Sequence, residues 1–237
     1  MGYTSIVHHA DCMEIMAQYP DKHFDLAVVD PPYGIKADRA FVRKTPAIDK
    51  RNGRPIKTKL KLIGAWDNAR PNIDYFNEIR RVSKNQVIWG GNYFADLLPA
   101  KSCWIVWDKV NGNSDQADCE LAWTSFNTAV RQLELLWTGL LEAESINKGR
   151  RNQGNKKLCE SRIHPTQKPI KLYDWIYKNY LPEGGKVIDT HLGSGSNRIA
   201  ADKAGNINFV GCELDKDYFD AQEKRWSNYK AQLTIQF

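Results

Sequence analysis

Two short apolar runs, far apart in the chain, end in the same unusual way. In "FDLAVVDPPYGI", Phe24 to Ile35, an apolar and β-branched stretch over Leu26 to Val29 runs into a single acid, Asp30. Such a run reads as a fully buried strand. Pro31 and Pro32 then fix φ and remove two backbone donors, so neither strand nor helix can continue. Pro32 also holds Pro31 extended. The result is a stiff platform with a carboxylate and free carbonyls at one end and the Tyr33 ring at the other. That pairing suits a planar ligand bearing an amino group. Near the C-terminus, "GGKVIDTHLGSGS" repeats the pattern: Val187 and Ile188 lead to Asp189, and a Gly-rich turn follows.

Between these points strands and helices alternate. Strands are expected at Ser5–His9, Leu26–Val29, Gln86–Trp89, Cys103–Trp107, Lys186–Asp189 and Asn208–Cys212. Helices are expected at Cys12–Tyr19 with Asp11 as N-cap, Ile73–Val82, Ile170–Tyr180, Asn197–Ala204 and Asp217–Tyr229. "CELAWTSF" and "VRQLELLWTG" read as two more strands, paired antiparallel. Repeated βα units predict an α/β fold, a mostly parallel sheet covered on both faces with one antiparallel strand pair. Residues 1–237 read as one domain, in which 36–71 and 140–163 are irregular basic insertions. Most of the eight tryptophans fall in strands and are expected to pack the core.

Charge separates these insertions from the body. Lys36 to Gly64 holds ten Lys/Arg against Asp38 and Asp49, and Lys148 to Lys168 holds seven against Glu160. These segments carry +8 and +6, so the total of +6 leaves −8 on the rest of the chain. Basic loops on an acidic body are the footprint of a phosphate-backbone partner. Lys36, Arg39, Arg43, Lys44, Arg51, Arg54, Lys57, Arg150, Arg151 and Lys156 are the candidate nucleic-acid contacts. The plain alternative is a pair of solvated loops. Five cysteines are scattered without a CxxC pair, which argues against a zinc site or a disulfide framework and for a reducing compartment. No run approaches the ~18 apolar residues of a membrane span, and the N-terminus is too short and polar for a signal peptide. No metal site and no membrane association are expected, and the location expected is the cytoplasm.

The second acid-ended strand carries a cofactor signal. Glycines after Asp189 let a ligand approach the backbone, at the start of a helix. The next strand ends at Glu213, 24 residues beyond Asp189. An acid about 20 residues past such a turn is placed to hydrogen-bond ribose hydroxyls. No P-loop Lys-Ser/Thr follows the glycines, so the site is of nucleoside type and not a phosphate clamp.

"DPPY" at Asp30–Tyr33, "HPTQKP" at His164–Pro169 and "DTHLGSGS" at Asp189–Ser196 together resemble the DNA amino-methyltransferases that use S-adenosylmethionine. The catalytic tetrapeptide comes first and the cofactor Gly motif last. This circularly permuted order is similar to the beta group of adenine-N6 and cytosine-N4 enzymes, and the resemblance extends from "HHADCMEIM" to "CELDKDYFDAQEKR". It implies a Rossmann-like doubly wound methyltransferase sheet. One departure stands out: Thr190 and His191 replace the usual Pro-Phe, and Ser196 replaces a Thr.

By this resemblance Asp30 and the Pro31 carbonyl accept the two N–H bonds of a base amine, localising its lone pair for attack on the sulfonium methyl. Their main work is alignment and charge stabilisation. Pro32 completes the platform, and Tyr33 would stack on a base flipped from the duplex, at roughly 1–3 kcal/mol per base. Asp11 and Cys12 resemble the pair that reads the cofactor adenine, and Glu213 would hold the ribose. Asp189, His191, Gly193, Ser194, Gly195 and Ser196 would face the methionine part, with Asp30 close by. Thr166 and Lys168, next to Pro169, look suited to the cofactor carboxylate. The product would be S-adenosylhomocysteine, with no metal involved.

The activity implied is site-specific methylation of adenine N6 in double-stranded DNA, in a restriction-modification or mobile-element setting of a bacterial or phage-infected cell. Asp at the first tetrapeptide position leans toward adenine, because many cytosine-N4 enzymes carry Ser there. Cytosine-N4 methylation is the nearest alternative, followed by an RNA or protein-glutamine methylase, and a DNA-binding relative without catalysis is the contrasting class. The resemblance leaves room for a homodimer and for a cognate restriction endonuclease as partners.

Overall fold

The structure is a computed structural model and describes residues 2–36, 67–111, 117–137, 142–143, 160, 163–164 and 166–234. Ten strands are described: β1 (Ser5–His9), β2 (Phe24–Val29), β3 (Ser83–Trp89), β4 (Trp104–Asp108), β5 (Cys119–Thr124), β6 (Arg131–Glu134), β7 (Leu136–Trp137), β8 (Glu142–Ala143), β9 (Lys186–Asp189) and β10 (Asn208–Glu213). The helices are α1 (Cys12–Met16), α2 (Ile73–Val82), α3 (Ile170–Tyr180), α4 (Ser196–Ala204) and α5 (Lys216–Thr234), with a 3-10 turn over Gly91–Phe94. Eight strands form one sheet in the order β1–β10–β9–β2–β3–β5–β4–β6, while β7 and β8 pair apart from it.

Within that sheet only β5 opposes its neighbours, running antiparallel to both β3 and β4. The expected antiparallel pairing of β5 with the following segment is not what forms. β6 instead lies parallel to β4, with Ile105 opposite Arg131. Both edges of β5 are already filled, so the nearest open edge is that of β4. The end of β5 and the start of β4 are level, Trp123 facing Trp104, so residues 125–130 are enough to carry the chain to that edge.

Strand alternation divides the core in two. Leu26, Val28, Val87, Trp89, Val187 and Phe209 pack with α3 and α4 on one face. Ala27, Val29, Ile88, Ile188, Val210 and Cys212 pack with α1 and α2 on the other. This period-two split of continuous apolar runs is what a parallel sheet covered on both faces requires. Trp89, Trp107 and Trp123 are fully buried, in keeping with core packing. Helix α1 is shorter than its sequence pattern suggested, and Gln18 and Tyr19 continue it only as turns bonded to Ile15 and Met16. The Asp11 carboxylate caps it, accepting from Met13 N at 2.7 Å.

Candidate active site

Strand register decides what the two strand-end acids can do. β2 and β9 are adjacent and parallel, with Ala27 opposite Ile188. Asp189 is therefore level with Val28, and Asp30 stands two residues farther out on the same face. Asn197 on α4 confirms the levels, because its Nδ2 donates both to Val28 O (3.1 Å) and to Asp189 Oδ2 (2.9 Å). Asp189 is only 3% exposed. Burial pushes its carboxyl up to about 7, against the lowering bonds from Asn197 and His191 N.

Asp30 opens instead into a cavity of about 1060 Å³ beyond the C-terminal ends of the strands. Ligands in open α/β sheets bind in this position. The cavity wall includes Asp11, Cys12, Asp30, Pro31, Pro32, Tyr33, Thr166, Lys168, His191, Gly193, Ser194 and Glu213. Pro169, Asp189, Gly195 and Ser196 do not line it. Pro169 instead opens α3, and Gly195, at φ +72°, opens α4. A side chain at Gly195 would press on Gln222 at 3.2 Å, so this glycine serves the turn. Asp189, expected close to Asp30 in one ligand site, therefore does not share the cavity that Asp30 lines. Asp189 supports the wall from behind and Asp30 faces the space.

At the tetrapeptide end the contacts are dense. Tyr33 Oη donates to Asp30 Oδ1 at 2.6 Å. Lys168 Nζ donates to Asp30 Oδ2 at 2.5 Å and lies 3.3 Å from Tyr33 Oη. The same ammonium is 3.2 Å from Glu120 Oε2, and Glu120 Oε1 pairs with Lys109 Nζ at 2.6 Å. Its flanks face the rings of Trp89 and Tyr33, 5.4 and 5.8 Å from the centroids. Burial pulls the Lys168 proton off, but Asp30 and Glu120 outweigh it and hold the group above its ordinary value. Glu120 is pushed up by burial, yet Lys168 and Lys109 bring it below the ordinary carboxylate range. Lys168, expected at the cofactor carboxylate, is paired in this structure with Asp30 and Glu120. Being 4% exposed, it also drops out of the basic surface counted from the sequence.

The Tyr33 ring is not a bare platform. Tyr93 lies parallel on it, centroids 4.8 Å apart and planes 16° apart. Asp67, itself buried, fixes the turn behind by accepting from Gly34 N at 2.7 Å. Gly34 adopts φ +74°, a conformation that favours glycine.

The other end of the cavity is built from the Gly-rich turn. Glu213 Oε2 accepts from Gly193 N at 2.8 Å and Oε1 from Asp215 N at 2.9 Å, tying the two loops together. Each oxygen keeps a further lone pair for a ligand hydroxyl. His191 is held neutral, pushed down to about 4 by burial, and its ring meets Tyr75 edge-on at 5.4 Å. Cys12 is pushed up to about 12 by burial and then by Asp11, so it is a neutral thiol. Thr166 N and Oγ1 both contact His164 Nδ1. His164 packs on Tyr218 at 4.3 Å.

Among the basic candidates only Lys36 lies within the described residues, exposed and at φ +59°. Arg39, Arg43, Lys44, Arg51, Arg54, Lys57, Arg150, Arg151 and Lys156 lie outside them. Glu120, Lys109, Tyr93 and Asp67 were not expected in the site. The one sequence signal for Glu120 was an acid inside the otherwise apolar "CELAW" strand. Among the described residues no group of three or more His, Cys, Asp or Glu could hold a metal ion, and no helix is long and apolar enough to cross a membrane.

The sheet and the cavity at its carboxyl edge define a Rossmann-like methyltransferase. The protein belongs to the N6_N4_Mtase family of DNA methylases, whose signature matches residues 104–224, more than half of the chain. It is 23% identical over 246 residues to the Type II methyltransferase M.ScaI of Streptomyces caespitosus, spanning 91% of this chain and 79% of that protein. The fold matches the crystal structure of an M1.HpyAVI–SAM complex with a TM-score of 0.51 at 20% identity, covering 94% of this chain and all of the other. It also matches the cytosine-N4-specific PvuII DNA methyltransferase, with a TM-score of 0.54 at 15% identity, covering 93% and 86% of the two chains.

Proposed function

We propose that the protein transfers a methyl group from S-adenosylmethionine to N6 of an adenine flipped out of double-stranded DNA. The carrying observation is one cavity that holds Asp30, Pro31 and Tyr33 at one end and Asp11, Gly193 and Glu213 at the other. Its donor set fits the cofactor. Glu213 and Asp11 offer acceptors for ribose and adenine, Gly193 allows close backbone approach, and the acidic wall suits a cation. At about 1060 Å³ the space exceeds what most single small ligands fill and leaves room for a base. When bound, S-adenosylmethionine supplies a methyl already activated on a sulfonium.

The chain's own residues do the rest. Asp30 and the Pro31 carbonyl accept the two amine N–H bonds and turn the nitrogen lone pair toward the methyl. As the N–C bond forms and the S–C bond breaks, positive charge grows on the nitrogen, and the Asp30 carboxylate stabilises it. The surplus amine proton leaves through Asp30 or to water. Residues 36–64 and 148–162 contact the DNA backbone as insertions in a single methyltransferase domain. Adenine is favoured over cytosine by the Asp that opens the tetrapeptide.

The test is tritiated methyl transfer to unmethylated double-stranded DNA by wild type and Asp30→Ala, followed by nucleoside analysis. N6-methyladenine that disappears in the variant is the expected result. N4-methylcytosine would keep the mechanism and replace the base. Absence of transfer with the cofactor still bound would overturn DNA as substrate.

A further inference from the structure

Both oxygens of Asp30 already accept from protein groups, Oδ1 from Tyr33 and Oδ2 from the Lys168 ammonium, whose charge offsets that of the carboxylate. A carboxylate neutralised in this way is poorly set to accept an amine proton or to stabilise a cationic nitrogen. Lys168 must loosen its hold when the base arrives, yet it is only 4% exposed and a base in the cavity would cover it further. Losing all anionic partners in such a place is costly.

Glu120 offers it somewhere to go. Its Oε2 is buried and, among the described residues, has no aligned hydrogen bond, although Lys168 Nζ is only 3.2 Å away. The other oxygen, Oε1, is fixed by Lys109, whose ammonium lies over the Trp107 ring at 5.4 Å. Glu120 is therefore a rigid carboxylate with one vacant acceptor, directed at the cation that occupies Asp30. A small rotation of the Lys168 ammonium would exchange one carboxylate for the other with no net charge moved.

We propose that Glu120 is a positioning residue for methyl transfer: it takes over the Lys168 ammonium when the target amine binds, freeing Asp30 Oδ2 to accept the amine N–H. This rests on the methyltransferase reading given above. The groups facing Lys168 are Asp30 and Tyr33 after β2, Trp89 on β3 and Glu120 on β5, with Tyr173 on α3 acting on both carboxylates and Lys109 acting through Glu120. With Glu120→Gln the ammonium has Asp30 as its only anion among the described residues and stays there.

The experiment measures kcat with unmethylated DNA from pH 6.5 to 9.5, together with S-adenosylmethionine affinity by calorimetry. Glu120→Gln should lower kcat at neutral pH roughly 10–100-fold, the scale of a misplaced reacting group, and leave cofactor affinity unchanged. Its deficit should shrink as pH rises, because Lys168 has lost one of the two anions that keep it protonated and its deprotonation releases Asp30. Glu120→Asp, which keeps the carboxylate, should restore part of the rate without that rise. A wild-type kcat in Glu120→Gln, or a deficit constant across pH, would overturn the proposal.

If Glu120→Gln does not fold, Glu120→Gln/Lys168→Met removes cation and anion together. That protein should methylate well above the Asp30→Ala background, and activity no higher than that background would overturn the proposal. An inactive wild type would instead refute the methyltransferase reading, and this inference with it.

Discussion

Gly90 gives the sharpest steric test of how the tetrapeptide is held. It sits at φ +68°, ψ 23°, just after β3. Its N–H donates to Leu121 O and its carbonyl accepts from Tyr93 N, so the backbone is pinned on both sides. A Cβ here would lie 2.1 Å from Tyr33 Cε1, 2.5 Å from Cζ and 2.7 Å from Cδ1. Ordinary contact begins near 3.4 Å, so in Gly90→Ala the Tyr33 ring must move by more than 1 Å. The 2.6 Å bond from Tyr33 Oη to Asp30 cannot survive that displacement. The left-handed backbone costs an alanine roughly 1–2 kcal/mol, and forced repacking costs about 1–3 kcal/mol more. The melting temperature should fall by roughly 5–15 °C for a domain of this size. Methyl transfer should drop about 100-fold, as for a group misplaced by an ångström. Thermal melts and single-turnover methylation read the two effects separately. Adding Tyr33→Ala removes the obstacle, so the double variant should be destabilised by much less than the sum of the single changes. Additive effects, or a Gly90→Ala protein with wild-type stability and rate, would refute the packing of Tyr33 against Gly90 as the device that places it.

Three further outcomes are expected. Asp189 is raised in the fold to about 7 from 3.8. Its contribution to stability is therefore fully present below pH 3.8 and is lost as pH rises through 7. Asp189→Asn should escape that loss, by up to roughly 4 kcal/mol, so its melting temperature should gain on wild type between pH 4.5 and 7.5; a pH-independent difference would contradict this. Tyr93→Ala removes the ring that covers Tyr33; fluorescence of a 2-aminopurine target base should change on binding, and an unaltered signal would show that Tyr93 stands outside the base's path. Neutralising lysines and arginines in 36–64 should flatten the dependence of log K on log salt by about 0.9 for each DNA phosphate that is no longer neutralised, whereas an unchanged slope would make these segments plain solvated loops.

Much of the fold was legible because local signals agreed. Helices α2 and α3 and strands β1 and β9 have the bounds that their apolar spacing predicts. Each has a consistent period, a clear stop and a buried face. The pairing of β6 was not legible, since it depends on which sheet edge remains open after β3, β4 and β5 have paired. The tetrapeptide, the Gly-rich turn and Glu213 could be found because their residue types are rare at strand ends. Glu120 and Lys109 could not, because a single acid in a strand and a single lysine after one carry no local constraint. They become a site only when β4 and β5 pair and Asp108 comes opposite Cys119.

The two strand-end acids show the limit most directly. Asp30 and Asp189 look alike in sequence, each closing an apolar run before a rigid turn. Proline after Asp30 and hydrogen-bonding partners around Asp189 hint at different roles without fixing them. A two-residue stagger between β2 and β9 does fix them. It sets Asp189 beneath the wall, where Asn197 bridges it to the Val28 carbonyl and burial favours its proton. It sets Asp30 beyond the wall, against Tyr33 and a lysine carried by a distant segment. The inner acid braces the platform and the outer one lines the cavity. Register alone assigns those roles, so a slip of two residues in β2 against β9 would bring the two acids level and erase the difference while leaving every motif in the sequence unchanged.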